Sequence, residues 1–136
     1  MSTILTACLD ANIYISAIAF GGKPLKILER ALTRDFILVT SPIILEEAKR
    51  NLIGKLEVTP FRVNTLMNDL LEVASVFVPT GKLNITSHLP DNLVLETAWI
   101  GGAEVLVTGD KKHLLGLFSY KGVTIETPAK FLERLG

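Results

Sequence analysis

Five short apolar segments, rich in β-branched residues, constrain the fold of this 136-residue chain more than any other feature. None of them alternates apolar and polar residues, so both faces of each predicted strand are expected to be buried. Strands of this kind are typical of a parallel sheet that helices cover on both sides. The predicted strands are Ile4–Leu9, Phe36–Val39, Val73–Val78, Val105–Val107 and Val123–Ile125.

Helical patterns separate these strands. A proline at a first helical position or a capping residue marks most of the predicted starts, and a glycine pair marks one predicted end. The sequence therefore predicts an α/β fold, a three-layer α/β/α sandwich around a central parallel five-stranded sheet, with residues 1–136 forming a single domain. The predicted helices are Pro24–Leu32, Pro42 to about Ile53, Pro60–Glu72, Asp91 to Gly101-Gly102, and a short one opened by Thr127-Pro128.

Composition narrows the class of protein. The 14 basic and 14 acidic residues balance, so no overall positive charge indicates a nucleic-acid partner. The single cysteine, Cys8, excludes a disulfide framework within the chain and is interpreted as a buried apolar residue in a reducing compartment. The apolar stretch Ile4–Phe20 contains Asp10 and Asn12, which disfavours a membrane span. We expect a soluble, cytoplasmic protein.

Acidic residues follow two of the predicted strands. Asp10 ends the first strand, and Asp110 follows the fourth, after Thr108-Gly109. In open parallel sheets the binding site lies outside the carboxyl ends of the strands, so the two acids would meet there if these strands are neighbours. Asp91 is predicted at a helix start after the longest loop, where the helix dipole favours a carboxylate.

A fourth acid must be chosen between Glu46 and Glu47. On a helical projection, Ile44, Leu45, Ala48 and Leu52 form the buried stripe of their helix. Glu47 borders this stripe, whereas Glu46 points further into water and forms an i,i+4 pair with Arg50. The helical pattern therefore favours Glu47, with Glu46 as the alternative.

Several carboxylates in one crevice repel each other unless a cation offsets their charge. Mg²⁺ or Mn²⁺ suits oxygen ligands and keeps several of its waters, one of which can attack a phosphodiester. The chain has no glycine-rich phosphate loop, since Gly21-Gly22 and Gly101-Gly102 lack the required context. The implied reaction is hydrolysis of a nucleic-acid backbone.

The motifs that carry these acids resemble those of PIN domains, in particular the branch described as toxin components of toxin–antitoxin systems. The resemblance covers nearly the whole chain and rests on five motifs in order: "LDANIYISA" (Leu9–Ala17), "SPIILEEAKRNL" (Ser41–Leu52), "PDNLVLETA" (Pro90–Ala98), "VTGDKKHLL" (Val107–Leu115) and "TPAKFLERL" (Thr127–Leu135).

The resemblance implies a metal-dependent ribonuclease with strand order 3-2-1-4-5. It implies Asp10, Glu47, Asp91 and Asp110 as catalytic and metal-binding acids, with Mg²⁺ or Mn²⁺ as cofactor. Asn12 and Thr108 would orient these carboxylates or the attacking water. It also implies a single-stranded RNA substrate, a homodimer and, for a toxin, a small antitoxin that blocks the site.

This chain departs from the family pattern on both sides of the predicted site. Relatives often carry acids where it has His88-Leu89-Pro90 and Lys111-Lys112-His113. These changes leave open whether a second metal binds and whether the site is active. Lys111 and Lys112 are candidate contacts to RNA phosphates.

Other polar and aromatic residues are interpreted as structural more readily than as functional. Each histidine is more readily structural than a general base. Glu96 either supports the site from behind or is simply paired. The basic stripe Lys26, Arg30 and Arg34, with Lys23 nearby, is favoured as a solvated helix face over an RNA track. Tyr14 and Trp99 are expected to pack in the core or a subunit contact, with base stacking as the alternative.

Three functions are compatible with this pattern to different degrees. The favoured one is a metal-dependent endoribonuclease, the toxin of a toxin–antitoxin pair. The alternative is a catalytically weak or inactive PIN domain that binds RNA or protein. A phospho-acceptor receiver is disfavoured, because Asp10 stands alone after the first strand and Thr127-Pro128 follows the last where a lysine is usual.

Overall fold

The computed structural model describes residues 4–109 and 119–136. Within these ranges the strands are β1 (Thr6–Leu9), β2 (Ile37–Thr40), β3 (Ala74–Val76), β4 (Val105–Val107), β5 (Ser119–Tyr120) and β6 (Val123–Glu126). The helices are α1 (Ala11–Phe20), α2 (Gly22–Leu32), α3 (Pro42–Gly54), α4 (Pro60–Val73), α5 (Leu89–Ile100) and α6 (Pro128–Leu135). None of the helices in the described ranges is long and apolar enough to cross a membrane.

The strands form one mostly parallel sheet in the order β3-β2-β1-β4-β6-β5. The first five of these pair in parallel, which confirms the α/β fold and the predicted order 3-2-1-4-5. The strand count was wrong by one, because β5 adds a short antiparallel edge strand beside β6. Lys121 and Gly122, with φ of 46° and 87°, form the turn between them, as tight two-residue hairpins require.

Side-chain caps fix the starts of most helices. The Ser41, Thr59 and Thr127 hydroxyls each accept a backbone N–H at the start of α3, α4 and α6, with a proline in the first turn of each helix. Several predicted boundaries were wrong, including the starts of β1 and β2, which lie at Thr6 and Ile37 instead of Ile4 and Phe36. Helix α4 runs through Val73, so β3 is shorter than the predicted strand; α2 begins at Gly22, before Pro24; and α5 begins at Leu89, which places Asp91 in its first turn.

The core lies around the centre of the sheet. In β1 and β4, Ala7, Cys8, Leu9 and the segment Val105–Val107 have no exposed surface. Burial on both faces is what the uninterrupted apolar runs predicted. The same arrangement places the carboxyl ends of β1 and β4 next to each other, since Leu9 pairs with Val107.

Candidate active site

A cleft of about 250 Å³ opens beyond the carboxyl end of β1. It brings together three of the four predicted acids, which come from the end of β1, from the middle of α3 and from the first turn of α5. Its lining residues are Asp10, Ala11, Asn12, Ile15, Glu47, Asn51, His88, Pro90, Asp91 and Val94.

Hydrogen bonds to both carboxylate oxygens hold Asp10 in this cleft. Its side chain caps α1, where Oδ1 accepts the Ala11 backbone N–H at 2.7 Å. Oδ2 accepts hydrogen bonds from Asn12 Nδ2 at 3.0 Å and Thr108 Oγ1 at 2.8 Å. Asn12 Oδ1 in turn accepts the Gly109 N–H at 3.4 Å, which links the start of α1 to the segment after β4. The two predicted orienting residues, Asn12 and Thr108, therefore both contact Asp10.

Burial and neighbouring acids raise the pKa of Asp10 to about 6 from its ordinary value of 3.8. Removal from water is the largest cause, since Asp10 is only 8% exposed, and the charges of Asp91 and Glu47 raise the pKa further. The hydrogen bonds from Thr108 and Ala11 act in the opposite direction but do not offset these effects. Asp91 and Glu47 are therefore close enough to Asp10 to influence its charge.

Asp91 lies in the first turn of α5 and is also buried, with 6% of its surface exposed. Its Oδ2 lies 3.0 Å from Nδ1 of His88, whose side chain is half exposed. His88 thus stands at the mouth of the cleft in contact with one of the acids.

The two candidate glutamates of α3 face different surfaces. Glu47 is half-buried and lines the cleft together with Asn51, whose side-chain amide donates to the Glu47 carbonyl at 2.9 Å. Glu46 is exposed and lines a separate groove between α3 and α4. The structure therefore puts Glu47, and not Glu46, beside Asp10 and Asp91.

The fourth predicted acid, Asp110, lies outside the described residues, as do Lys111, Lys112 and His113. Within residues 4–109 and 119–136, no group of three or more Asp, Glu, His or Cys side chains is arranged closely enough to hold a metal ion. The donor chemistry of the cleft nevertheless fits Mg²⁺ or Mn²⁺, because its acids supply hard oxygen ligands. A cation there would also offset the charge that burial makes costly on Asp10.

Two polar residues of α5, Asn92 and Glu96, hold the loop beside the cleft; Glu96 was considered as a support of the site, whereas Asn92 was not predicted. Both are buried, and both accept hydrogen bonds from the loop between β3 and α5. Glu96 accepts the backbone N–H groups of Thr80 at 2.6 Å and Gly81 at 3.0 Å. Burial alone would raise the pKa of Glu96, but these hydrogen bonds outweigh it and the net pKa is lowered. Glu96 is thus a loop anchor that lies outside the cleft lining.

The signal that could have identified this pair is its spacing. Asn92 and Glu96 are one turn apart on α5 and therefore share a helix face, which follows the longest loop of the chain.

The basic stripe of α2 does not form a continuous surface. Arg30 pairs with Asp35 and also donates to the Gly136 carbonyl at 3.2 Å. Arg34 lies beyond the end of α2 with a φ of 60° and donates to the Glu72 carbonyl at 3.5 Å. These arginines connect elements at the amino edge of the sheet, opposite the cleft, which favours the structural interpretation.

Neither of the two aromatic candidates lines the cleft. Tyr14 is completely buried in the core. Trp99 is 41% exposed and packs edge to face against Tyr120, with Lys121 Nζ 4.5 Å from the centre of its ring. Since Tyr120 pairs with Val123 at the start of β6, this cluster lies at the opposite edge of the sheet.

Fold and cleft together define an α/β protein with buried carboxylates at the carboxyl edge of a parallel sheet. A PIN domain family model matches residues 6–112, well over half of the chain. The chain therefore belongs to the PIN domain family, which confirms the resemblance of its motifs.

Comparison with other proteins adds a structural relative. The fold is similar to a chain in the crystal structure of VapBC2 from Rickettsia felis bound to a DNA fragment from their promoter. The TM-score is 0.60 at 18% sequence identity, and the alignment covers 90% of this chain and 98% of that one. No curated protein matches the sequence. At this identity the structural likeness concerns the fold alone.

Proposed function

We propose that this chain is a metal-dependent endoribonuclease that hydrolyses phosphodiester bonds of single-stranded RNA. The observation that supports this most strongly is that Asp10, Glu47 and Asp91 line one cleft, where burial and the neighbouring acids raise the pKa of Asp10 to about 6. A buried carboxylate of this kind lowers the stability of the folded protein, and carboxylates with raised pKa values cluster at functional sites. Membership of the PIN domain family supports a nuclease as the function of this site.

Asp10, Glu47, Asp91 and Asp110 are the residues that would hold Mg²⁺ or Mn²⁺. When bound, the ion would activate water for attack on the phosphodiester and stabilise the leaving oxygen. Thr108 and Asn12 keep Oδ2 of Asp10 in a fixed direction through their two hydrogen bonds.

Lys111 and Lys112 follow the fourth acid in the sequence and would neutralise phosphates of the RNA.

The proposal includes the role of a toxin controlled by an antitoxin. The fold relative in the VapBC2 structure supports a partner protein of this kind. A homodimer and a cytoplasmic location complete the proposal.

A binding module that does not cut RNA is the second candidate. The observation that favours it is the residue in contact with Asp91 at the mouth of the cleft, which is a histidine, His88, and not a further acid. In this case the cleft would bind RNA or protein without hydrolysis.

The experiment that separates the two candidates is cleavage of end-labelled single-stranded RNA of mixed sequence by the purified protein. Mn²⁺ or Mg²⁺ is added, and EDTA and an identically purified Asp91→Asn variant serve as controls against contaminating ribonuclease. A nuclease cuts only with metal, and the variant loses cutting. RNA binding without cutting in all samples would support the binding module instead.

A further inference from the structure

The loop that precedes α5 is attached to that helix by a dense set of hydrogen bonds around one buried amide. Asn92, 5% exposed, accepts at Oδ1 from the backbone N–H groups of Ile85 at 3.2 Å and Thr86 at 2.8 Å. Its Nδ2 donates to the Thr86 carbonyl at 3.0 Å. All four polar contacts of the Asn92 side chain, including one to Thr86 Oγ1 at 3.0 Å, are therefore made to this loop.

The hydrogen bonds continue from Thr86 to His88. Thr86 Oγ1 lies 3.0 Å from the His88 carbonyl oxygen and accepts the His88 backbone N–H at 3.2 Å. The His88 carbonyl also accepts the Asn92 N–H at 3.2 Å, at the start of α5. Both backbone groups of His88 are thus fixed relative to Asn92, and the imidazole lies 3.0 Å from Asp91.

We propose that Asn92 is a positioning residue of the cleft: it holds the segment 85–88 so that the His88 imidazole stays on Asp91. The proposal rests on the proposed nuclease for its effect on cleavage. Asn92 itself does not line the cleft, whereas His88 and Asp91 do. Asn92 therefore acts through His88 and not by contact with the RNA.

Glu96 offers a matched control on the same helix. It is equally buried and also accepts backbone N–H groups of this loop, but at Thr80 and Gly81, away from the cleft lining. Glu96→Gln replaces an acceptor by an amide donor facing these N–H groups, so it loosens the loop without touching the segment 85–88. If Asn92 only stabilised the loop, the two substitutions would have the same effects.

The first test is independent of activity. The chain has two histidines, His88 and His113, so their imidazole ¹⁵N signals are readily assigned by NMR, with His113 as internal reference. The proposal predicts that Asn92→Ala and Asp91→Asn both shift the His88 signals, and that Glu96→Gln leaves them unchanged. Unchanged His88 signals in Asn92→Ala would overturn it, whether or not the protein cuts RNA.

The second test is a double-mutant cycle on RNA cleavage. We expect Asn92→Ala and His88→Ala each to lower kcat/KM about tenfold, as for other residues that orient a ligand, and the double variant to match His88→Ala within about twofold. The effect of Asn92→Ala on Tm should persist in the His88→Ala background. If the two single substitutions lowered kcat/KM independently, so that their effects multiplied in the double variant, the proposal would be overturned. An equal loss of kcat/KM in Glu96→Gln would overturn it as well.

Asn92→Asp covers the case in which Asn92→Ala does not fold. It keeps the acceptor for Ile85 and Thr86 but replaces the donor to the Thr86 carbonyl by a carboxylate oxygen and adds a buried charge. We expect a smaller shift of the His88 signals in the same direction. No shift of the His88 signals in a folded Asn92→Asp protein, or an equal shift in Glu96→Gln, would contradict the proposal.

Discussion

Replacing Asp10 by asparagine should stabilise the metal-free protein, although Asp10 is a proposed catalytic residue. A pKa of about 6 in place of 3.8 means that the ionised side chain costs roughly 3 kcal/mol in the folded protein, at about 1.36 kcal/mol per pH unit. Asparagine removes this charge and is as good a helix cap as aspartate. Its amide group faces the donors Asn12 and Thr108, which should cost about 1 kcal/mol.

The expected net gain is therefore about 2 kcal/mol near neutral pH. For 136 residues the entropy of unfolding is roughly 0.29 kcal/mol per kelvin, so Tm should rise by about 7 °C. The gain depends on pH with a defined sign. Because the folded pKa of Asp10 is raised, the folded wild type loses stability as pH rises from about 4 to about 6, and asparagine does not.

The assay is urea unfolding of both proteins in EDTA at about pH 4.5 and about pH 7.5. The advantage of Asp10→Asn should be about 2 kcal/mol larger at the higher pH. With saturating Mn²⁺ the wild type should become more stable than Asp10→Asn, because only the wild type gains free energy from metal binding. A variant that is less stable than wild type at about pH 7.5, or a difference that does not change with pH, would refute the reasoning.

Three further predictions concern other residues of the fold and the site. Thr108→Val removes the hydroxyl that donates to Asp10 Oδ2, so cleavage should fall roughly tenfold and the pKa of Asp10 should rise, both read from the pH–rate profile. An unchanged profile would contradict this role. Arg134→Gln removes the guanidinium that donates to the buried Glu126 carboxylate at 2.7 Å and 3.0 Å. We expect it to lower the free energy of unfolding in urea by about 2 kcal/mol. The control Glu133→Gln, at an exposed position, should lower it by less than about 0.5 kcal/mol. Gly101→Ala places a methyl group against Val39 and Phe77 and should lower the free energy of unfolding by about 1–3 kcal/mol. Gly54→Ala, which has open space around it in α3, should leave stability unchanged or raise it. Equal Tm values for the two variants would be evidence against close packing at Gly101.

The sequence predicted the features that follow from the spacing of buried residues along a single helix or strand. Apolar runs without alternation led to the parallel sheet, and the helical projection of α3 distinguished Glu47 from Glu46. The strand order itself came from the family resemblance. In each case a local pattern, or a match to a known family, was sufficient to predict the feature.

Features that depend on pairing between distant segments were not predictable in this way. The edge strand β5 has only two residues, and antiparallel pairing with β6 defines it. The spacing of the basic residues predicted one helix face, but Arg34 lies beyond the end of α2. Arg30 and Arg34 each donate a hydrogen bond to a backbone carbonyl outside α2. The spacing of Asn92 and Glu96 indicates a shared helix face, but the partners of Asn92 are mostly backbone atoms of a loop, which the sequence does not specify.

The measurement that tests the central claim most directly is a calorimetric titration of Mn²⁺ into the wild-type protein, Glu47→Gln and Glu46→Gln near neutral pH. These neighbouring glutamates differ in that Glu47 lines the acidic cleft and Glu46 does not. We predict saturable binding to wild type and Glu46→Gln, and binding at least about tenfold weaker to Glu47→Gln. Equal affinity for all three proteins, or no binding to the wild type, would contradict a metal-dependent nuclease site in this cleft.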